Sequence, residues 1–203
     1  KGDKVAIVSL SAGTLGEKWA IHRYYIAKKR LEDDFGLKVI VMENTLKGIK
    51  YLDEHPEARA KDLMDAFKDD SIKGVFNAIG GDDTIRLLPY IDFEVIRNHP
   101  KIFTGYSDTT INHLMMYKAG VVSYYGLAVL TTLSEYVKMD DYSLEMMKKT
   151  LFEPVQQLEI YKAPYYYDDD DEMIRWDENN INVLRQYHKD ENGYEVIQGN
   201  GVV

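Results

Sequence analysis

Short runs of consecutive apolar residues alternate with longer amphipathic segments along residues 1–132. These runs are Val5–Ser9, Leu37–Met42, Gly74–Ile79, Ile102–Phe103 and Val121–Tyr124. An apolar run without polar alternation is typical of a strand that is buried on both faces of a sheet. Because such strands alternate with helical segments, the pattern predicts an α/β fold, a parallel sheet with helices on both faces.

Helical periodicity fills the segments between the predicted strands. Pro56 suits the first position of one helix, because the missing N–H of proline is not needed there. The helix after the fourth strand is predicted to bury four apolar side chains spaced three and four residues apart. They are Ile111, Leu114, Met115 and Ala119.

The alternation of strands and helices stops near Thr132. Residues 1–132 are therefore predicted to form one α/β domain, and residues 133–203 a crossover and the start of a smaller C-terminal domain. The later segment contains Trp176, one of two tryptophans in the chain. Trp176 could stack on a flat ligand such as a nucleobase, or it could hold the segment against the domain body.

Three loops with candidate chemistry follow the carboxyl ends of predicted strands: Ser11–Gly16, Gly80–Thr84 and Gly105–Asp108. Parallel α/β sheets have their sites at that edge, so we expect the loops to lie together. Ser107 stands at a strand-to-helix corner, where a nucleophile is exposed beside the backbone N–H groups of a new helix. The same residues also suit an ordinary helix N-cap.

The glycine pair Gly80–Gly81 allows the backbone to approach a ligand closely and to direct N–H groups at it. Such a loop can form an oxyanion hole beside Ser107, or it can be only a tight turn. A third interpretation is a phosphate cradle, because GGDDT is similar to the GGDGT loop of the NAD-kinase and diacylglycerol-kinase-like proteins. Asp83 stands where that motif has glycine, which counts against the cradle.

No histidine is a convincing general base for Ser107. His113 follows Ser107 by six positions, about 240° around a helix axis, and is predicted to point away. The five histidines are also too few and too scattered to predict a metal site. Thr109 stands where the G-x-S-x-G elbow of α/β-hydrolases has glycine. The residues alone thus give a nucleophile and an oxyanion loop without a base.

The composition narrows the class of partner. The net charge of −9 argues against non-specific binding of nucleic acid, and no apolar run approaches the ~20 residues that span a bilayer. The absence of cysteine excludes disulfides and thiolate chemistry and is compatible with a reducing compartment. No signal peptide is visible. A start at Lys1 and an apolar end at Val203 lead us to expect a sequence trimmed at both ends.

Four features occur together in this chain: a Ser-rich loop after the first strand, GGDDTIRLLPYID at 80–92, FTGYSD at 103–108 and YYG at 124–126. This combination resembles the LD-carboxypeptidase family of serine peptidases, which includes the microcin C self-immunity proteins. The resemblance implies a flavodoxin-like N-terminal domain and a smaller C-terminal domain. It implies a Ser-His-Glu triad with Ser107 as the nucleophile, and a Glu and a His that would lie beyond Val203.

The resemblance also implies roles for the residues near Ser107. The oxyanion hole would use the backbone N–H of Asp108 and one from the loop that contains Gly81 and Asp82, and Gly80 would contact the substrate. The long late segment with Trp176 resembles the immunity-like group, in which a tryptophan packs on the nucleobase of the substrate.

We therefore expect a cytoplasmic homodimer that cleaves an amide bond in a small peptidyl- or aminoacyl-nucleotide, without a metal or an organic cofactor. We expect no nucleic-acid or membrane partner. Three alternatives stay open. They are a muropeptide LD-carboxypeptidase of murein recycling, a phosphate- or nucleotide-binding module that uses Gly80–Thr84, and a non-catalytic sheet domain.

Overall fold

The computed structural model describes residues 1–153, 157–161, 163, 165–166, 176–184 and 188–189 (only the backbone at 165–166 and 188–189). The chain divides into two compact units, Lys1–Ser134 and Glu135–Val203. Among the described residues, no helix combines the length and the apolar composition that crossing a membrane requires.

Five parallel strands form the sheet of the first unit. They are β1 (Lys4–Val8), β2 (Lys38–Val41), β3 (Ile72–Asn77), β4 (Ile102–Gly105) and β5 (Tyr124–Tyr125). Their order across the sheet is β2-β1-β3-β4-β5, and each neighbouring pair is parallel. This is the flavodoxin-like order, so the predicted α/β fold is confirmed.

Helices cover both faces of this sheet. They are α1 (Ile21–Asp33), α2 (Gly48–Glu54), α3 (Pro56–Lys68), α4 (Phe93–Asn98) and α5 (Thr110–Ala119). The helix α1 connects β1 to its neighbour β2 at one edge of the sheet. The helix α3 lies in the connection from β2 to β3, which runs in the opposite direction across β1. Since crossovers between parallel strands are right-handed, α1 and α3 lie on opposite faces. Pro56 begins α3, as predicted.

The strands contribute to a core on each side of the sheet. Ala6 and Val8 of β1 pack in one buried cluster with Phe103 of β4 and with side chains of α3, α4 and α5. Val5 and Ile7 alternate with them along β1 and are also buried. With both faces covered, the carboxyl edge of the sheet is where loops can form a site.

Two predictions around α5 are wrong. Leu114 is 58% exposed, and Met116 is buried instead, together with Asn112. Because Asn112 is polar, the hydrophobic pattern did not identify it as a buried position, and the buried face of α5 was assigned incorrectly. The fifth strand is Tyr124–Tyr125 rather than Val121–Tyr124, because α5 ends at Gly120 with a φ of +79° and the chain turns before it joins the sheet.

The second unit contains the helix α6 (Asp141–Leu151) and a short antiparallel pair, β6 (Tyr165–Tyr166) and β7 (His188–Lys189). The side chain of Asp140 caps α6 by accepting a hydrogen bond from the backbone N–H of Ser143 at 2.8 Å. A single 3-10 turn, Glu178–Asn180, follows Trp176.

Candidate active site

The loops that follow β1, β3 and β4 meet at the carboxyl edge of the sheet. These three strands are neighbours in the sheet. The backbone N–H of Ala12 donates to the Gly80 carbonyl at 3.2 Å. The Ser11 hydroxyl donates to the Asp108 carboxylate at 2.6 Å. The expectation that the three loops share one edge is therefore confirmed.

Ser107 forms the turn between β4 and α5. The residue is exposed, and its φ of +63° lies in the left-handed region that serine rarely adopts. One turn of 3-10 helix, Ser107–Thr109, leads into α5, and the Thr110 hydroxyl donates to the Ser107 carbonyl at 2.6 Å. The chain thus bends sharply at the exposed serine, as it does at a nucleophile elbow.

Gly80 lies directly against this turn. A Cβ at position 80 would lie 2.6 Å from Ser107 Cβ, 2.7 Å from Ser107 Oγ and 3.0 Å from the Asp108 nitrogen. Gly81 approaches the β1 loop in the same way, since a Cβ there would lie 2.2 Å from Ser11 Oγ. Only glycine permits both close approaches, so the glycine pair is what brings the loop against its two neighbours.

Backbone donors suited to an oxyanion lie at this edge. Within the described part of the chain, the N–H groups of Gly81, Asp82 and Asp108 have no hydrogen-bond acceptor. Gly81 and Asp82 are exposed, and the Asp108 nitrogen lies beside Gly80 and Ser107. Preorganised donors of this kind stabilise the negative charge that develops on a carbonyl oxygen. The use of these three groups, and of Gly80 as a substrate contact, stays a prediction.

The Asp108 carboxylate joins the Ser107 turn to the other two loops. One of its oxygens accepts hydrogen bonds from Ser11 Oγ at 2.6 Å and from the Thr84 backbone N–H at 2.9 Å. Burial raises the pKa of this carboxyl, but the hydrogen bonds from Ser11 and Thr84 outweigh burial and hold the pKa below its ordinary value. Asp108 is therefore an ionised acceptor at neutral pH and not a proton donor.

A buried arginine supports the same loops. Arg59 of α3 is fully buried, and its guanidinium forms a bidentate pair with the Asp83 carboxylate at 2.7 and 2.8 Å. Its Nη1 also donates to the carbonyl oxygens of Leu10 and Ser11, each at 3.2 Å. The hydrogen bond from Arg59 holds the pKa of Asp83 below its ordinary value, although burial partly opposes the shift.

Arg59 was not predicted from the sequence, and Asp83 was noted only because it departs from a kinase motif. A signal was present, however. Arg59 lies on the buried stripe of α3 with Leu63 and Phe67. Since arginine is almost never fully buried unless it is paired, an arginine in an apolar stripe predicts a carboxylate partner elsewhere in the chain.

His113 lies beside the Ser107 turn, but both of its ring nitrogens have partners. Nε2 donates to the Gly105 carbonyl at 2.9 Å, which leaves Nδ1 to accept a hydrogen bond from Ser123 Oγ at 2.8 Å. Burial lowers the pKa of His113, and the bond to Gly105 opposes this shift only in part. The helical rotation used in the sequence prediction does not apply here, because Ser107 precedes α5 and has a left-handed backbone.

The other residues considered from the sequence lie apart from these loops in the chain. Trp176 belongs to the second unit, where it is half-buried. In that unit the backbone carbonyl of Asp177 accepts a hydrogen bond from Tyr136 Oη at 3.0 Å. His55 and His99 pair with carboxylates of Glu57 and Asp70. The described residues include no group of three His, Asp or Glu side chains arranged to hold a metal ion.

The chain is similar in sequence to peptidases and to an immunity protein. Residues 5–126 match the family model of the LD-carboxypeptidase N-terminal domain. The microcin C7 self-immunity protein MccF of Escherichia coli is 30% identical over 190 residues, which are 93% of this chain and 54% of that protein. The probable murein peptide carboxypeptidase of Bacillus subtilis is 32% identical over 142 residues, 70% of this chain and 41% of that protein.

A solved structure extends the similarity to the fold. The crystal structure of an MccF-like protein from Streptococcus pneumoniae in complex with AMP matches this chain with a TM-score of 0.81 and 35% sequence identity. The match covers 94% of this chain and 55% of the other chain. The chain therefore spans about half the length of the relatives that it matches.

Proposed function

Because the chain belongs to the LD-carboxypeptidase family, we propose that it carries the nucleophile of a serine peptidase, Ser107. The observation that supports this role most strongly is the position of Ser107. The residue is exposed at a φ of +63°, lies against Gly80 and is followed by Asp108, whose N–H has no acceptor among the described residues. A nucleophile and donors for an oxyanion are the two elements that acyl transfer needs first.

In the proposed reaction, Ser107 Oγ attacks the carbonyl carbon of an amide, and its proton passes to a general base. The carbonyl oxygen becomes an oxyanion that accepts hydrogen bonds from the backbone N–H of Asp108 and from that of Gly81 or Asp82. When the C–N bond breaks, the amine leaves with the proton from the base, and the acyl group stays on Ser107 as an ester. Water then cleaves the ester, which releases the acid and restores the hydroxyl.

The general base is proposed to be a histidine oriented by a glutamate, both outside the described residues. This assignment follows the Ser-His-Glu triad that the family resemblance implies. His113 is not given this role, because Gly105 and Ser123 already engage its two ring nitrogens. An exchange of partners at His113 would also break contacts that fix the end of β4.

For the substrate, we propose an amide in a peptidyl- or aminoacyl-nucleotide. Two findings support it over a muropeptide. The similarity to the microcin C7 self-immunity protein covers 93% of this chain, whereas the similarity to the probable murein peptide carboxypeptidase covers 70%. The MccF-like relative from Streptococcus pneumoniae was solved in complex with AMP. Trp176 would then stack on the nucleobase, and the protein would act in the cytoplasm as a homodimer.

The role of Ser107 is tested by Ser107→Ala in the full-length protein, with Ser143→Ala on α6 as the matched control. Loss of the nucleophile is expected to lower kcat by about 10⁴-fold or more for any amide substrate that the enzyme cleaves. The control should keep the wild-type rate. Cleavage of peptidyl-nucleotide and muropeptide substrates at the wild-type rate by Ser107→Ala would exclude Ser107 as the nucleophile.

The choice between the two substrates is tested by Trp176→Ala, with Trp19→Ala as the control for loss of a tryptophan. Base–aromatic stacking contributes about 1–3 kcal/mol, so kcat/KM for a peptidyl-adenylate should fall by about 10-fold or more. Cleavage of a muropeptide should not change. If Trp176→Ala leaves both reactions unaltered, the murein alternative is favoured instead.

A phosphate- or nucleotide-binding module is the rival from another class. It predicts that AMP binding, measured by calorimetry, survives Ser107→Ala and is lost when a bulky residue replaces Gly81. One contact weighs against this alternative. Arg59, whose charge could balance a phosphate near Gly80–Thr84, is buried and already forms a bidentate pair with Asp83.

A further inference from the structure

The backbone of Ser107 has a side-chain partner that the proposed reaction does not use. The Ser107 N–H donates a hydrogen bond to Tyr125 Oη at 3.0 Å. Tyr125 is the last residue of β5, and it is 64% exposed. The bond therefore lies at the surface of the site, next to the exposed hydroxyl of Ser107, and not within the core.

The Tyr125 ring is itself supported by His113. The two ring centroids are 5.5 Å apart, and His113 also packs edge-on against the buried ring of Phe103 at 5.4 Å. Since the two nitrogens of His113 are bound by Gly105 and Ser123, this ring has a single orientation. Tyr125 thus rests on a fixed side chain of α5, which is hydrogen-bonded to Gly105 at the end of the strand that precedes Ser107.

The Gly105 carbonyl provides a second connection between the end of β4 and the end of β5. The Gly105 carbonyl accepts hydrogen bonds from His113 Nε2 at 2.9 Å and from the Gly126 backbone N–H at 3.0 Å. The end of β4, which leads to Ser107, and the end of β5, which contains Tyr125, are therefore fixed relative to each other. Because the Tyr125 hydroxyl is held in this way, it restricts the orientation of the Ser107 N–H that donates to it.

We propose that Tyr125 is a positioning residue for Ser107 and that His113 holds Tyr125 in place. A left-handed backbone is unfavourable for serine, so the turn needs contacts that offset its strain. The hydrogen bond from the Ser107 N–H to Tyr125 is such a contact, and it keeps Ser107 Oγ against Gly80. The effect on catalysis rests on the proposed function, whereas the hydrogen bond is a property of the fold.

The catalytic effect is tested by Tyr125→Phe in the full-length protein, which removes one oxygen and keeps the ring. Tyr117→Phe on α5 is the control for loss of a phenol hydroxyl, because Tyr117 lies outside the site loops and is 82% exposed. Loss of one hydrogen bond is expected to lower kcat for Tyr125→Phe by about tenfold with KM almost unchanged. The rate at which a fluorophosphonate probe labels Ser107 should fall by the same factor, and the control should alter neither quantity.

The role of His113 is tested with His113→Gln alone and in combination with Tyr125→Phe. If His113 acts through Tyr125, the double variant should be no slower than the slower single variant. If the factors by which the two single variants lower kcat multiply in the double variant, His113 and Tyr125 act independently, and that part of the proposal would be overturned. A normal kcat in Tyr125→Phe, or a change confined to KM, would overturn the positioning role itself.

Amide exchange at Ser107, measured by NMR, tests the hydrogen bond without reference to catalysis. The Ser107 amide is expected to exchange with water about tenfold faster in Tyr125→Phe than in the wild type, and at the wild-type rate in Tyr117→Phe. An unchanged exchange rate in Tyr125→Phe would overturn the proposal. Full activity of Ser107→Ala would instead refute the proposed function and leave the exchange result to decide the role of Tyr125 in the fold.

Discussion

Replacement of Gly80 by alanine is expected to displace the nucleophile without removing any functional group. The added Cβ would lie 2.6 Å from Ser107 Cβ and 2.7 Å from Ser107 Oγ. Carbon atoms in contact are normally about 3.5–4.0 Å apart, so the two segments must separate by about 1 Å. The Asp108 backbone nitrogen, at 3.0 Å, limits movement on that side. The turn that carries Ser107 therefore has to shift.

The size of the effect follows from this displacement. A misplacement of about 1 Å can lower the rate of an enzyme about 10²-fold, and overpacking costs about 1–3 kcal/mol of stability. In the full-length protein, Gly80→Ala should thus reduce kcat/KM for a peptidyl-nucleotide amide about 100-fold. Urea denaturation should show a free energy of unfolding lower by about 1–3 kcal/mol.

The variant Gly120→Ala is a control that loses stability away from the site, and it shows whether the lower activity of Gly80→Ala is only a result of lower stability. Gly120 has a φ of +79°, and a Cβ there would meet nothing within 4 Å. Its replacement is expected to cost about 1 kcal/mol through backbone strain, with kcat/KM unchanged. Wild-type kcat/KM in Gly80→Ala would refute the reasoning, and so would equal losses of activity in the two variants.

Two further predictions concern the groups that support the loops. Arg59→Met should lower the free energy of unfolding by about 3 kcal/mol, because it leaves the Asp83 carboxylate with the exposed Arg86 and the Ser11 hydroxyl. Arg86→Met should change the free energy of unfolding little. Urea denaturation compares the two variants, and equal effects would contradict the role of Arg59. The pKa values of Asp83 and Asp108 are held below normal. Their stabilisation is therefore fully present above the unfolded carboxyl pKa of about 3.9, and it is lost as the pH falls from that value through the lower pKa of the folded state. Thermal unfolding between neutral and acidic pH should therefore be less pH-dependent in Asp83→Asn than in the wild type, and an identical profile would contradict this linkage.

The regular elements could be predicted from the sequence where local pattern and tertiary burial agree. The apolar runs in β1 and β3 are buried on both faces, and Pro56 starts α3. The pattern failed where the two disagree. Asn112 is polar but buried, so the buried face of α5 was predicted with Leu114 in place of Met116.

The site could also be predicted only where a local sequence pattern reports on it. Ser107 and the Gly80–Gly81 pair could be identified because each lies in a short local motif after an apolar strand. The contacts that hold them could not, because they join residues far apart in the chain. Ser11 and Asp108, for example, are separated by 97 positions, yet their side chains form a hydrogen bond of 2.6 Å. Tyr125 gave no local signal that it accepts a bond from Ser107.

The most direct test of Ser107 as a nucleophile is the mass of the full-length protein after reaction with a fluorophosphonate probe, followed by peptide mapping. We expect one covalent adduct, located on Ser107, and no adduct in Ser107→Ala. An adduct on a different residue, or active protein that forms no adduct at Ser107, would contradict the assignment.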